Sequence, residues 1–274
     1  MRPVEPIIVI DLFEPLLERL LQILHGLTEQ DWGWATVCQG WTVKDVALHL
    51  LGDDIGQLSR GRDKEMASLL PPGPDLVSRI NAANQLWVDA TRRMSARLLC
   101  DLLEITGRQV IDYFKTLRPM DMNGVVSWAG PDPAPAWFDL AREYTERWHH
   151  QQHIREAVGQ PELTETTLFR PVLETFVRAL PWTFHAVEAT EGTTVALRIQ
   201  GNAGNHWFLV RREGNWSLFT NHVADPITVV TMKQETAWRL FTRGITKEQA
   251  MKDAFIEGDN TLARVLFEAV AIIV

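Results

Sequence analysis

Two cysteines, Cys38 and Cys100, are all that the 274 residues contain, and no C-x-x-C spacing joins them. That scarcity excludes a disulfide scaffold and leads us to expect a reduced, cytoplasmic chain. Long apolar runs are missing as well. The longest, Ala269–Val274, joined to Val265–Phe267 across Glu268, is far too short to span a bilayer, so no membrane is expected among the partners. The segment Met1-Arg2-Pro3-Val4-Glu5-Pro6 places two prolines and an acid where a signal peptide carries basic and then apolar residues. Excess positive charge is lacking too. With 27 Lys+Arg against 35 Asp+Glu the formal charge is −8, and such a chain lacks the field that gathers phosphates. No nucleic-acid partner is expected. What remains is an ordinary globular composition, 46% apolar and 23% charged, without repeats or low-complexity stretches.

The hydrophobic patterning divides the chain near residue 163. Before it, the spacing predicts helices. Leu12, Leu16, Leu17, Leu20, Leu21, Leu24 and Leu27 recur every three or four residues, the period of an amphipathic helix. A second helix starts where Thr42 and Asp45 form a T-x-x-D signal, carries Val46, His49 and Leu50, and fades near Ser59-Arg60-Gly61. Pro71-Pro72-Gly73-Pro74 is a break, after which Asp75 can cap a third helix running through Trp87. Apolar spacing from Leu98 to Phe114 continues to Leu117, and a last helix runs from about Ala136 to Val158, stopping at Gly159. We therefore expect an all-α four-helix bundle over residues 1–163. Beyond it, Thr193–Gln200 alternates apolar and polar residues. Trp207–Arg211 and Trp216–Thr220 flank the turn Glu213-Gly214-Asn215, and Ile227–Met232 is a further strand. Helical stretches near Leu168–Leu180, Glu235–Thr242, Thr246–Ala254 and from Asn260 frame these strands, which makes residues 164–274 a smaller α+β domain.

The candidate chemistry is concentrated in Glu146-Arg147-Trp148-His149-His150-Gln151-Gln152-His153. On a helix, Glu146 and His150 sit one turn apart on the same side and can converge on one cation. His149 and His153 share that spacing, so spacing alone leaves the pair open. His49, in the middle of its helix, is the natural third ligand from a separate segment. Two imidazoles, one carboxylate and an open position resemble catalytic zinc sites more than structural ones. Asp45 and Asp53, a turn either side of His49, can accept its second N–H. The plainer alternative is a solvated polar face: Trp137, Ala141, Tyr144 and Trp148 form one stripe, and Glu146, His150 and His153 lie roughly opposite it.

The stretch Gly40-Trp41-Thr42-Val43-Lys44-Asp45-Val46-Ala47-Leu48-His49-Leu50 resembles the GWTVxDVxxHL signature of the mycothiol-dependent maleylpyruvate isomerase family, a branch of the DinB-like metal-binding bundles. Glu146 to Arg155 resembles the E-x-x-x-H-x-x-D-I-R stretch of that family, and Trp128-Ala129-Gly130 with Pro135-Ala136-Trp137 resembles its longer members. The pieces Ile199-Gln200-Gly201-Asn202-Ala203-Gly204, Trp207, Trp216, Trp238-Arg239-Leu240-Phe241 and Gly258-Asp259 resemble a sterol-carrier-protein-like domain. The resemblance implies an up-down-down-up bundle and selects His49, Glu146 and His150 as metal ligands. It also implies two cofactors: a divalent metal, zinc first with nickel or iron as alternatives, and a low-molecular-weight thiol such as mycothiol. Two departures stand out. His153 occupies the place of the usual aspartate, and Thr242-Arg243-Gly244 stands where the family carries T-G-R.

The chemistry that the resemblance implies is thiol-dependent S-transfer or cis–trans isomerisation of a small electrophilic substrate, a carboxylate among the candidates, since a metal stabilises the nucleophilic thiolate. Asp53 is a candidate base and Arg243 a candidate substrate-handling residue. Arg142 and Arg155 are candidates for holding a carboxylate of substrate or thiol, as is Arg147, with surface salt bridges the plainer role for at least two of the three; Arg239 is a similar candidate in the second domain. Cys38 reads as a small buried or half-buried residue rather than a nucleophile. The tryptophans Trp41, Trp128, Trp137 and Trp148 read as core, and His25, His185, His206 and His222 as structural or exposed. A rival reading is a metal-containing carrier of an apolar ligand without catalysis. Oligomeric state is not set by these patterns.

Overall fold

A computed structural model describes residues 1–65, 70–221 and 225–272. Its helices are α1 (Phe13–Gly26), α2 (Val43–Gly56), α3 (Leu76–Thr91), α4 (Ala96–Lys115), α5 (Ala136–Ala157), α6 (Thr166–Phe176), α7 (Leu180–Thr183), α8 (Gln234–Phe241), α9 (Lys247–Asp253) and α10 (Asn260–Leu266). Its strands are β1 (Arg2–Pro3), β2 (Met122–Val125), β3 (Pro133–Pro135), β4 (Thr194–Gln200), β5 (His206–Arg212), β6 (Asn215–Asn221), β7 (Thr228–Lys233) and β8 (Phe255–Gly258). The N-terminal region is thus helical and the C-terminal part sheet-rich. Two compact units form. One comprises Val9–Arg118 and Glu143–Leu163; the other comprises Met1–Ile8, Pro119–Arg142 and the chain from Thr164 onward. Residues 1–8 and 119–142, which precede the expected boundary at 163, therefore group with the sheet, and α5 passes from one unit to the other at Glu143. Among the described residues no helix is long and apolar enough to cross a membrane.

In the helical unit, local chemistry sets where each helix starts. Thr42 caps α2: its Oγ1 accepts from the Asp45 N–H, while the Asp45 carboxylate accepts from the Thr42 N–H, a reciprocal capping box. Asp75 and Ser95 cap α3 and α4 from one side only, their side chains accepting from the Ser78 and Leu98 N–H. The core joins Leu20, Leu21 and Leu24 of α1, Val46, Leu50 and Leu51 of α2, Val88 of α3, Leu99 and Leu103 of α4, and Ile154 of α5. Gly52 lets α3 approach α2. A Cβ there would fall 2.7 Å from the Trp87 ring, whose Nε1–H donates to the Leu48 carbonyl at 2.7 Å.

Two features of this unit depart from simple amphipathic packing. α2 is buried almost all round, with Asp45, His49 and Asp54 among its buried residues. On α5, no residue from Glu143 to Arg155 is exposed, so the face expected to be solvated is inside. Arg147 compensates part of that burial. Its guanidinium bonds the α2 carboxylate Asp54 at 2.9 Å and Glu143, one turn back on α5, at 2.7 Å. Thr106 of α4 donates to Asp54 at 2.9 Å. Burial works against the Arg147 cation, but Asp54 and Glu143 pull its pKa above the ordinary value. This network ties α2, α4 and α5 at the level of the histidines.

The sheet has the order β1-β6-β5-β4-β7-β8, with β4 and β7 parallel and every other pair antiparallel. β5 and β6 form the expected hairpin. Glu213 (φ 54°) and Gly214 (φ 75°) both adopt positive φ, the signature of a tight primed turn that follows the sheet twist. Its inward residues, among them Leu197, Ile199, Trp207, Leu209, Val230 and Met232, are buried. β1, β8 and the β2–β3 ribbon were not anticipated. Each is four residues or fewer, too short for an alternating pattern to register.

Thr42→Ala removes the cap of the helix that carries His49 and should cost about 1 kcal/mol in chemical unfolding. Burial pushes the Asp45 carboxyl up, but Arg92 and the Thr42 N–H outweigh it and hold its pKa below the ordinary value. A lowered carboxylate pKa contributes stability that is present above the unfolded pKa and lost as pH falls through the folded one. The stability difference between wild type and Asp45→Asn should therefore be full at neutral pH and shrink below about pH 4; a difference unchanged down to the acid limit would contradict it. Arg147→Met leaves two buried carboxylates without their cation and should destabilise by about 3–5 kcal/mol, read from the unfolding midpoint.

Candidate metal centre

Helices α2 and α5 bring His49, Glu146 and His150 together. One ligand-type atom from each lies within 4.8 Å of the others. His150 Nε2 is 3.0 Å and His49 Nε2 3.3 Å from the same carboxylate oxygen, Glu146 Oε1. The two imidazole rings meet edge to face with centroids 4.6 Å apart. The one-turn spacing of Glu146 and His150 puts both on one side of α5, and His49 reaches them from the middle of α2. Asp53, one turn after His49, places Oδ2 3.4 Å from His49 Nε2. That oxygen is buried and has no hydrogen-bond partner. Trp41 closes one side, its ring 5.2 Å from that of His49 and its Nε1–H bonded to Gln85.

The electrostatics are those of a site short of positive charge. Burial pushes the Asp53 carboxyl up to about 6, with the neighbouring Glu146 adding to the rise and His49 opposing it. Burial acts likewise on Glu146, but His150 and His49 outweigh it and hold that carboxyl well below the usual range. At His150, burial disfavours the cation, yet Glu146 draws the pKa well above the ordinary imidazole value. Two half-buried carboxylates thus lean on a protonated imidazole for compensation. A divalent cation among the His49 Nε2, His150 Nε2 and Glu146 Oε1 atoms would supply that charge, and the unpartnered Asp53 oxygen would gain a role beside it. The donor set fits a zinc-class ion.

The other two histidines of α5 face the same interior. His149 and His153 are buried, with ring centroids 4.1 Å apart, and His153 stands 5.2 Å from His150. Burial, reinforced by His150, pushes His149 down to about 3, and the same causes with His149 added push His153 down further. These rings are neutral. His153 Nδ1 meets Cys38 Sγ at 3.1 Å. Cys38 is half-buried as expected, but its contact with a histidine 115 residues away has no signal in spacing or composition.

The remaining candidates are placed elsewhere. Arg142 pairs with Asp139 at 2.9 Å. Arg155 is buried, donating to the Pro161 carbonyl at 2.9 Å and to Gln151 Oε1. Arg243 follows α8 in the sheet-bearing unit, exposed and with φ 56°. Arg239 lies over the Trp238 ring. His25, His185 and His206 are exposed, and His222 lies outside the described residues.

Comparison with known proteins places this geometry in a family. A solved structure described as the mycothiol-dependent maleylpyruvate isomerase shares the fold at a TM-score of 0.53 and 12% identity, covering 84% of this chain and 86% of that one. A mutant of that isomerase matches with the same coverage, at a TM-score of 0.52 and 11% identity. A sterol carrier protein 2-like 2 structure from Aedes aegypti matches 36% of this chain and 95% of its own, at 20% identity and a TM-score of 0.29. No curated protein matches. The family described as the mycothiol maleylpyruvate isomerase N-terminal domain matches residues 13–155, more than half the chain, from the start of α1 to just past His153. The protein belongs to that family.

Proposed function

We propose that the protein is a metal- and thiol-dependent enzyme, an S-transferase or maleylpyruvate-isomerase-like cis–trans isomerase acting on a small electrophilic carboxylate. The observation that carries this reading is the convergence of His49 Nε2 and His150 Nε2 on one Glu146 oxygen, from two helices of a family named for a mycothiol-dependent isomerase. The finer architecture that goes with it is an up-down-down-up bundle over residues 1–163 followed by a sterol-carrier-like domain over 164–274.

In this reading His49, Glu146 and His150 hold the ion. When bound, a zinc-class cation, with nickel or iron as alternatives, lowers the pKa of a low-molecular-weight thiol and steadies its thiolate. Asp53 Oδ2, buried and without a hydrogen-bond partner, is the acceptor for the thiol proton. A bound thiol would supply a nucleophilic sulfur for reversible addition to the electrophilic carbon in isomerisation, or for lasting addition in transfer. Asp53 would hold the thiol proton and return it to the sulfur in the first case or to the substrate in the second. Trp41 and the buried walls of α2 and α5 limit water around the reacting sulfur. Arg142 and Arg155 for the thiol, and Arg243 for the substrate, are carboxylate-holding candidates proposed from the sequence alone. We place this chemistry in the cytoplasm, where two free thiols stay reduced.

Protein purified without a nickel column should contain close to one divalent ion per chain, and His150→Ala should bring that content well below one by elemental analysis. A panel of mycothiol, bacillithiol and glutathione against maleylpyruvate and simple electrophiles should show turnover with at least one thiol, abolished by chelator. Turnover that ignores the chelator, or metal content untouched by His150→Ala, would overturn the assignment. Bound metal without any turnover, together with uptake of an apolar ligand, would favour a carrier instead.

A further inference from the structure

His150 belongs to two sets of donors. Its Nε2 faces Glu146, whereas its Nδ1 is buried with no hydrogen-bond partner. On that other side stand Cys38 and His153, and one ligand-type atom each from Cys38, His150 and His153 lies within 4.8 Å of the others. The three come from two places: Cys38 from the loop before α2, and the two histidines from adjacent turns of α5. Cys38 Sγ and His153 Nδ1 are already in contact at 3.1 Å. His153 is buried, Cys38 is half-buried, and both rings lie within a group of four histidines.

We propose that Cys38 Sγ, His150 Nδ1 and His153 Nδ1 form a second cation position, beside the His49–Glu146–His150 set and joined to it by one imidazole ring. The donor atoms differ in kind. The first set offers two nitrogens and a carboxylate oxygen; the second offers two nitrogens and a sulfur, which selects softer ions such as cadmium or monovalent copper. Binding there deprotonates the Cys38 thiol, the sulfur–metal bond replaces the S–H bond, and the proton leaves to solvent. His153 enters as a neutral ring, whereas His150 also gives up its imidazolium proton to solvent. The buried Nδ1 of His150, which makes no hydrogen bond in the present arrangement, becomes a ligand. The inference uses donor atoms other than those of the proposed function and stands or falls apart from it.

Titration of the metal-free full-length protein with cadmium tests this directly. Wild type should develop an ultraviolet sulfur-to-cadmium charge-transfer band that saturates at one equivalent. Cys38→Ser, a change of one atom, should abolish the band even though Cys100 remains. His153→Ala should weaken cadmium binding about tenfold or more. His49→Ala, which disables only the first position, should keep the band. Absence of the band from wild type, its persistence in Cys38→Ser, or its loss in folded His49→Ala would each overturn the proposal. Zinc content measured in parallel separates the two positions. Normal zinc without a cadmium band removes the sulfur site alone, whereas a cadmium band in a protein that retains no zinc removes the reading of the first set alone.

Discussion

Burying ionisable groups along α5 obliges each to find an opposite charge, and the helical unit is organised around that obligation. Taking a carboxylate or guanidinium out of water costs several kcal/mol unless a partner replaces the lost hydration. Arg147 meets this condition through Asp54 and Glu143, with Thr106 completing Asp54. Glu146 meets it through His49 and His150. The two clusters lie side by side on one helix, yet they differ. The Arg147 cluster carries a permanent cation and is closed; the Glu146 cluster relies on imidazoles and leaves an Asp53 oxygen and a His150 nitrogen without hydrogen-bond partners. A closed cluster is structural. An open one can exchange its imidazolium proton for a metal.

Both clusters sit on regular helices with locked starts rather than on loops, which suits a site that must hold ligand atoms to within fractions of an ångström. The capping box fixes where α2 begins, and hence which of its residues faces α5. Gly52 and Trp87 then set how near α3 lies to it. Cys38 is the exception, held in its loop by hydrogen bonds with Thr36. The loop donor is also the soft one.

Much of this was readable from the amino acids. The T-x-x-D signal, the Asp75 cap, the Glu213-Gly214 turn and the strand alternation each rest on local rules, and the structure places those elements within a few residues of expectation. The Glu146 and His150 spacing pointed to one side of one helix, and His49 was the natural third residue. Periodicity failed on the environment of that side. It measures amphipathic contrast, and α5 has little because both of its faces are inside, with polar groups neutralised pairwise rather than hydrated. The Cys38–His153 and Arg147–Asp54 contacts join residues about a hundred positions apart, so no local pattern could announce them. The shortest strands escaped for the opposite reason, having too few residues to carry any pattern.

The edge strand β1 has a consequence for how the molecule is assembled. Arg2–Pro3 pairs with Asn221 and Phe219 of β6, so this segment finds its neighbour only after more than two hundred intervening residues have been synthesised. The helical unit, enclosed between those partners in sequence, can mature on the ribosome while that ribbon waits. Halves severed at the junction after α5 would each lack a piece: the sheet would lose its border, and the helices would carry an orphaned leader.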